Sequence, residues 1–364
     1  MPHNYFSYYQ VVRAKTLSKK MNNLLFKACE EGQVETVREL LKQGSNPNIH
    51  GEEKFQRAPL HISKNSEITQ LLMSYGADPN ITDRYGNTPL HLASICSDFN
   101  LEKMTQLLNE GANPNALNGG INAALHFVLY NYHVTINHTS KDLVLEAIKL
   151  LMNFHAEIDI QNELGESPLY LGLKTVPANE QKPEIIHELL KLGANPNLTT
   201  ISRSNPFEKV VFELENIDLV SLMISYGARI DYADVDGVTV LHLAASNLNI
   251  DIIRKLLENG AEPNALDNFK MSPLHCVFLL NEYEKAVVEA IEELVKYGGN
   301  INAQDVNGKT PLHRAIELNS YTGTKALLKL GSDQNIRDEN GNTALEVALE
   351  DGNRMNFVKS LFLS

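Results

Sequence analysis

VTVLHLAASNLNIDIIRKLLENGAEPN, residues 238–264, holds in one stretch the elements on which the reading of this 364-residue chain turns. Ile252, Ile253, Leu256 and Leu257 recur at the spacing of one helical face, which predicts an amphipathic helix. Gly260 then ends it, because the residue just past a helix often needs a positive φ that glycine adopts without strain. Ahead of that helix, VTVLH has the look of an earlier helix start.

The same head recurs as RAPLH (57–61), NTPLH (87–91), ESPLY (166–170), MSPLH (271–275) and KTPLH (309–313). The tail recurs as YGADPN (75–80), EGANPN (110–115), LGANPN (192–197), YGGNIN (297–302) and LGSDQN (330–335). In NTPLH, Thr88 can cap free backbone amides, and Pro89 sits at the first helical position, where its missing N–H costs nothing. Polar segments such as DRYGN (83–87) and DVNGK (305–309) read as turns. The unit is helix, short turn, helix, polar turn, repeated roughly every 33 residues.

In head and period the chain resembles the ankyrin-repeat family. The resemblance implies an all-α solenoid of about ten helix-turn-helix units joined by β-turn or hairpin loops, with heads near Leu24, Leu60, Leu90, Leu125, Leu169, Phe207, Leu241, Leu274, Leu312 and Leu345. Residues 1–21 are read as an N-terminal extension, a helical cap or alternatively a docking or membrane-surface motif, 22–340 as the repeats, and 341–364 as a truncated repeat acting as C-terminal cap, with Glu346 in place of the head histidine. Three units depart from the pattern: 50–82 is shortened between its helices, 118–161 has AALH, and 201–233 has only SNPF.

The unit at 118–161 carries an aromatic, histidine-bearing stretch, but LHFVLYNYH (125–133) and LVLEAIKLLMNFHAEID (143–159) match LHCVFLLNEY (274–283) and AVVEAIEELVKYGGNIN (286–302). A feature that recurs is architectural. It reads as a first helix carried further than usual, with Tyr130, Tyr132 and Tyr283 offering a second contact edge rich in a residue favoured at interfaces.

The net charge of −13 opposes the basic footprint that phosphate backbones require, so nucleic acid is not an expected partner. Three dispersed cysteines, Cys29, Cys96 and Cys276, have no zinc or redox spacing and suit a reducing compartment. No run approaches the roughly 18–20 apolar residues of a membrane span. These features predict a cytoplasmic monomer.

No GxGxxG, P-loop, GxSxG or HExxH pattern occurs, so the expectation is a non-enzyme with no cofactor and no metal. The insertions at 130–142 and 174–184 are the places left for a catalytic cluster. His61, His91, His126, His242, His275 and His313 all occupy the head position, where the resemblance implies structural hydrogen bonds between units. It also implies that tail asparagines, Asn80, Asn115, Asn197, Asn264 and Asn302, each eight residues after a leucine, are potential substrates of an asparaginyl hydroxylase.

The expected function is protein binding along a concave face. By family resemblance the contact positions are the turn tips and first-helix starts: Arg84, Tyr85 and Asn87; Val235, Asp236 and Val238; Asn268, Phe269 and Met271; Val306, Asn307 and Lys309. Tyr85 and Phe269 stand out, since large rings at turn tips burden solubility unless covered. The abundance of Asn, Lys, Ile and Leu suits an AT-rich genome, giving an alternative: an effector of an intracellular bacterium or a virus that recruits a host protein and works in host cytoplasm.

Overall fold

The structure, a computed structural model, describes residues 3–95, 100–134, 141–174, 183–279 and 284–350. It has two compact units, Met1–Val176 with Glu184–Ala194 and Pro177–Pro183 with Asn195–Ser364.

In the first unit helices pair in chain order: α1 (His3–Glu31) with α2 (Val34–Lys42), α3 (Pro59–Ile62) with α4 (Ser66–Ser74), α5 (Pro89–Ala93) with α6 (Leu101–Asn109), α7 (Ala124–Val134) with α8 (Lys141–Asn153), and α9 (Pro168–Lys174) with α10 (Pro183–Lys191). In the second, α11 (Pro206–Lys209), prolonged by a π-helical turn at Val210–Leu214, pairs with α12 (Ile217–Ser225). There follow α13 (Val240–Ser246) with α14 (Ile250–Glu258), α15 (Pro273–Cys276) with α16 (Glu284–Lys296), α17 (Pro311–Glu317) with α18 (Tyr321–Lys329), and α19 (Ala344–Glu350). Among the described residues β-pairing is limited to two isolated antiparallel bridges, Ala233 with Thr239 and Arg337 with Thr343. This is the all-α solenoid class that the repeats predict.

Each head builds its own helix start. Thr88 Oγ1 accepts the His91 amide, and His91 Nδ1 accepts the Thr88 amide at 3.0 Å, so two amides at the start of α5 are satisfied reciprocally. Accepting at Nδ1 leaves the proton on Nε2, which donates to the Asn122 carbonyl of the next repeat at 2.9 Å. The same clamp joins His61 to Asn87, His126 to Glu166, His242 to Met271, His275 to Lys309 and His313 to Asn342. Burial is the leading cause holding all six rings below the usual histidine pKa, His61 at about 4.

Two repeats carry glutamate at this position. Glu208 accepts the Asn205 amide at 3.0 Å, and Glu346 accepts that of Thr343 at 2.7 Å. A carboxylate can close the local cap but has no proton to donate onward, so among the described residues Glu208 makes no histidine-type tie to the following repeat.

Tails are stapled in a parallel way. Asn80 donates Nδ2 to the Gly111 carbonyl at 3.0 Å and accepts the Asn113 amide at 2.7 Å. Asn115, Asn197 and Asn264 make the corresponding pair of bonds to the following tail, and Asn302 accepts from Asp333. Between these polar rails lies the apolar core, with Leu60, Leu72, Leu90 and Leu107 in one unit and Leu241, Leu256, Leu274 and Leu294 in the other, all essentially inaccessible.

α1 runs unbroken through the position of the expected boundary at residue 21. Its residues 17–20 are exposed, with Lys19 paired to Glu52 at 2.7 Å, whereas Leu25, Ala28 and Cys29 are buried.

The two sibling repeats differ in a way their sequences hide. α7 extends over 11 residues against five in α5, as expected, but α15 stops after four, at Cys276. Val277 and Phe278 follow as buried residues outside the helix. What both siblings share is a second helix of 13 residues, α8 and α16. The elongated first helix is therefore corrected for the repeat at 267–303: packing against α18, where Gly323 lets Phe278 approach, takes the place of helix extension.

Candidate functional site

Most of the described polar turns are organised by an acidic or amide side chain at the first position, and the turn at 200–204 by the Thr200 hydroxyl. Asp83 Oδ1 accepts the amides of Tyr85 and Asn87 at 2.8 and 2.9 Å, and Asp234, Asp267 and Asp305 do the same for the residues two and four places on. Accepting these bonds occupies the carboxylate, and Asp83, Asp267 and Asp305 are buried. The two residues after each are thrown outward as the tip.

Neighbouring tips are joined backbone to backbone. In the first unit the Arg84 amide donates to Phe55 O at 2.9 Å and the Gly119 amide to Tyr85 O at 2.8 Å. In the second, Asn268 donates to Asp236 O at 2.7 Å, Val306 to Phe269 O at 2.8 Å and Glu339 to Asn307 O at 2.9 Å. These bonds hold each row of tips in fixed register, and the Asn268 side chain adds to them by donating Nδ2 to Val235 O at 3.0 Å.

The predicted contact residues divide into two sets. Arg84, Tyr85, Val235, Asp236, Asn268, Phe269 and Val306 are exposed, with Tyr85 at 48% and Phe269 at 60%. Asn87, Val238, Met271 and Lys309 sit half-buried at the foot of the turns, their amides taken by the aspartates. There Asn87 also accepts from Asn118 Nδ2 at 2.8 Å, and the Lys309 ammonium pairs with Glu317. Asn307 is half-buried at its tip.

Two apolar tips escaped the sequence reading: Leu164 and Ile201 are exposed at the same turn offsets as Tyr85 and Val235. Aligning each turn on its first polar residue, Asn162 and Thr200, would have found them. Phe55 was missed as well. Its ring lies 6.0 Å from that of Tyr85, with the Arg57 guanidinium 4.8 Å from the Phe55 centroid, so the two rings make one patch edged by a cation.

In the second unit a cleft of about 310 Å³ lies beside the Val235 tip, with Arg203, Glu208, Lys209, Phe212 and Asp236 in its walls. Phe212, on the π-helical turn, is about half exposed there. Burial raises the pKa of Glu208.

Of the proposed second edge, Tyr130 is exposed at 61% and Tyr132 lies on α7, whereas Tyr283 falls outside the described residues. Much of the insertions at 130–142 and 174–184 also lies outside them. Among the described residues no cluster of three or more His, Cys, Asp or Glu could hold a metal, and no helix is long and apolar enough to cross a membrane. Cys29 and Cys276 are buried thiols pushed up to about 12 by desolvation.

The family model for ankyrin repeats matches residues 25–118, 175–267, 249–338 and 282–364, well over half of the chain. Similar proteins include the ankyrin repeat protein nuc-2 of Neurospora crassa, 29% identical over 69% of this chain and 22% of its own length. Phosphocholine transferase AnkX of Legionella pneumophila is 25% identical over 64% of this chain and 25% of its own. A putative ankyrin repeat protein of fowlpox virus, FPV230, is 30% identical over 50% of this chain and 88% of its own. The chain thus spans about a quarter of the length of nuc-2 and of AnkX. Head clamps, tail staples and the family match lead to one assignment: this chain belongs to the ankyrin-repeat family.

Proposed function

We propose that the protein is a non-enzymatic binding module that holds a protein partner on the face made by its turn tips and the starts of its first helices. The observation that carries this reading is the row of apolar side chains on tips locked by backbone hydrogen bonds: Phe55 and Tyr85 in the first unit, Val235, Phe269 and Val306 in the second. Rigid aromatic side chains give up little entropy when covered, so they make effective anchors. The fitting partner presents apolar side chains to Tyr85 and Phe269. The reading further takes the protein to be a cytoplasmic monomer, with Tyr130 on a second edge.

The test is affinity capture with quantitative mass spectrometry, comparing wild type with Tyr85→Ala, Phe269→Ala and the double variant, each checked for native circular dichroism. Loss of an anchor is expected to weaken capture about tenfold or more, the scale of a hot-spot truncation. Undiminished capture by the folded double variant overturns the proposed face.

A second reading, an effector that recruits a host protein, is favoured by similarity to proteins of Legionella pneumophila and fowlpox virus. A reporter fusion that never reaches host cytosol during infection removes it.

A further inference from the structure

The repeat at 50–82 is shortened, and the shortening has a structural consequence. α3 is only four residues long, so its last carbonyls lack the amide donors that a longer helix supplies. Lys103, in the first turn of α6, reaches back from the following repeat and donates its ammonium to the carbonyls of His61 and Ser63, at 3.3 and 2.9 Å. Lys103 is 5% exposed. Carbonyl dipoles solvate an ammonium without neutralising it, and no carboxylate among the described residues pairs with this one.

A cavity of about 530 Å³ opens beside Lys103, within the size range of small-molecule sites. Two further cations, Arg57 and Lys64, line it. Arg57 lies over the Phe55 ring, but among the described residues its guanidinium has no ion pair, and its Nε is buried without a hydrogen-bond acceptor. Lys64 is exposed and likewise has no ion pair among the described residues. Glu30, exposed, is the one carboxylate on the described wall. Among the described residues an acidic chain thus lines one open space with three cations and a single carboxylate. On the described wall an excess of two positive charges matches a dianion, and donors on three separate side chains suit a group with several oxygens better than a planar carboxylate.

We infer that this cavity is a binding site for a phosphate-type oxyanion, held by Arg57, Lys64 and Lys103.

The same group could arrive on a free small phosphate ester or on a phosphorylated side chain of a protein, and the test separates the two. Inorganic phosphate is titrated calorimetrically into the full-length protein at pH 7.5 against chloride of equal ionic strength. A phosphoserine peptide is then titrated in the same way. Saturable binding is expected, at least tenfold weaker in the Arg57→Gln/Lys64→Gln variant, whose side chains make no ion pair among the described residues for the fold to lose. A peptide at least tenfold tighter than inorganic phosphate assigns the group to a protein; otherwise it is a free ester. No heat beyond the chloride control, or equal affinity in the folded double variant, overturns the site.

A pH series tests Lys103 separately, because its substitution risks unfolding the repeat. Burial brings its ammonium to about 8, so affinity for a phosphate monoester such as the phosphoserine peptide, whose second pKa of about 6 keeps it dianionic throughout, should fall between pH 7.5 and 9. Facing it are Cys29 on α1, raised to about 12, His61 on α3, lowered to about 4, and the charged Glu30, Arg57 and Lys64. Neither Cys29 nor His61 titrates in that window. An affinity flat across it overturns the assignment of Lys103.

Discussion

Acidification should loosen the histidine clamps, and His61 allows the effect to be sized. Its ring accepts the Ala58 amide at Nδ1, 3.0 Å, and donates from Nε2 to Asn87 O, 2.8 Å. A protonated ring would present two donors, one of them to an N–H, so the fold requires the neutral form. Burial lowers the folded pKa to about 4, against about 6.5 in the unfolded chain. The folded value lies below the unfolded one, so the contribution is complete above about pH 6.5 and declines as pH falls toward 4. Linkage between these values gives a loss of about 2 kcal/mol at pH 5 from this one residue. Repulsion within the acidic chain also changes with pH, so wild type alone is an ambiguous probe. His61→Gln has no proton to gain. Urea denaturation of both proteins should find the variant less stable at pH 7 by about 1–3 kcal/mol, the scale of a broken buried hydrogen-bond pair. The gap should narrow by about 2 kcal/mol at pH 5. A gap constant between the two pH values would refute the neutral-clamp argument.

Two substitutions test the turns and the packing. Ile121 occupies a left-handed turn position, φ 56°, that glycine fills at Gly86, and its side chain is 43% exposed. Relief of that strain should make Ile121→Gly more stable by about 1 kcal/mol in urea melts, and a loss would show that the side chain packs usefully. Gly323 sits on α18 where an added Cβ would meet Phe278 Cε1 at 2.6 Å and Val287 Cγ1 at 3.1 Å, both buried. Although alanine is the better helix former, overpacking should win, and Gly323→Ala is expected to lower stability by about 1–2 kcal/mol; a gain would mean that Phe278 can withdraw freely.

Some of this molecule is readable one residue at a time. The cap of α5 depends on Thr88, Pro89 and His91, which are neighbours in the chain, so local geometry decides it. The glycines that end the second helices, such as Gly260 at φ 90°, are equally local. Glu208 could have been recognised as standing where the head histidine belongs, by counting three residues from Asn205, and Leu164 and Ile201 by counting from Asn162 and Thr200. The exposure of Tyr85 and Phe269 was legible from their turns, whereas the foot positions Asn87, Met271 and Lys309 were not, because what occupies them belongs partly to other repeats: histidines 26, 29 and 34 residues before.

By itself the sequence determined the repeat, its caps and its turns, because each is closed by hydrogen bonds within three or four residues. The tertiary structure alone decided where helices stop and which charges meet. α15 ends at Cys276 although its sibling α7 runs on, because Phe278 finds its place against Gly323 some forty-five residues away. Likewise Lys103 meets the open end of α3 across 40 residues of chain, and only that meeting gathers it with Arg57 and Lys64 around one cavity. Burial and charge depend on every chain segment that converges on a point, and that convergence is a property of the packed repeats rather than of any one of them.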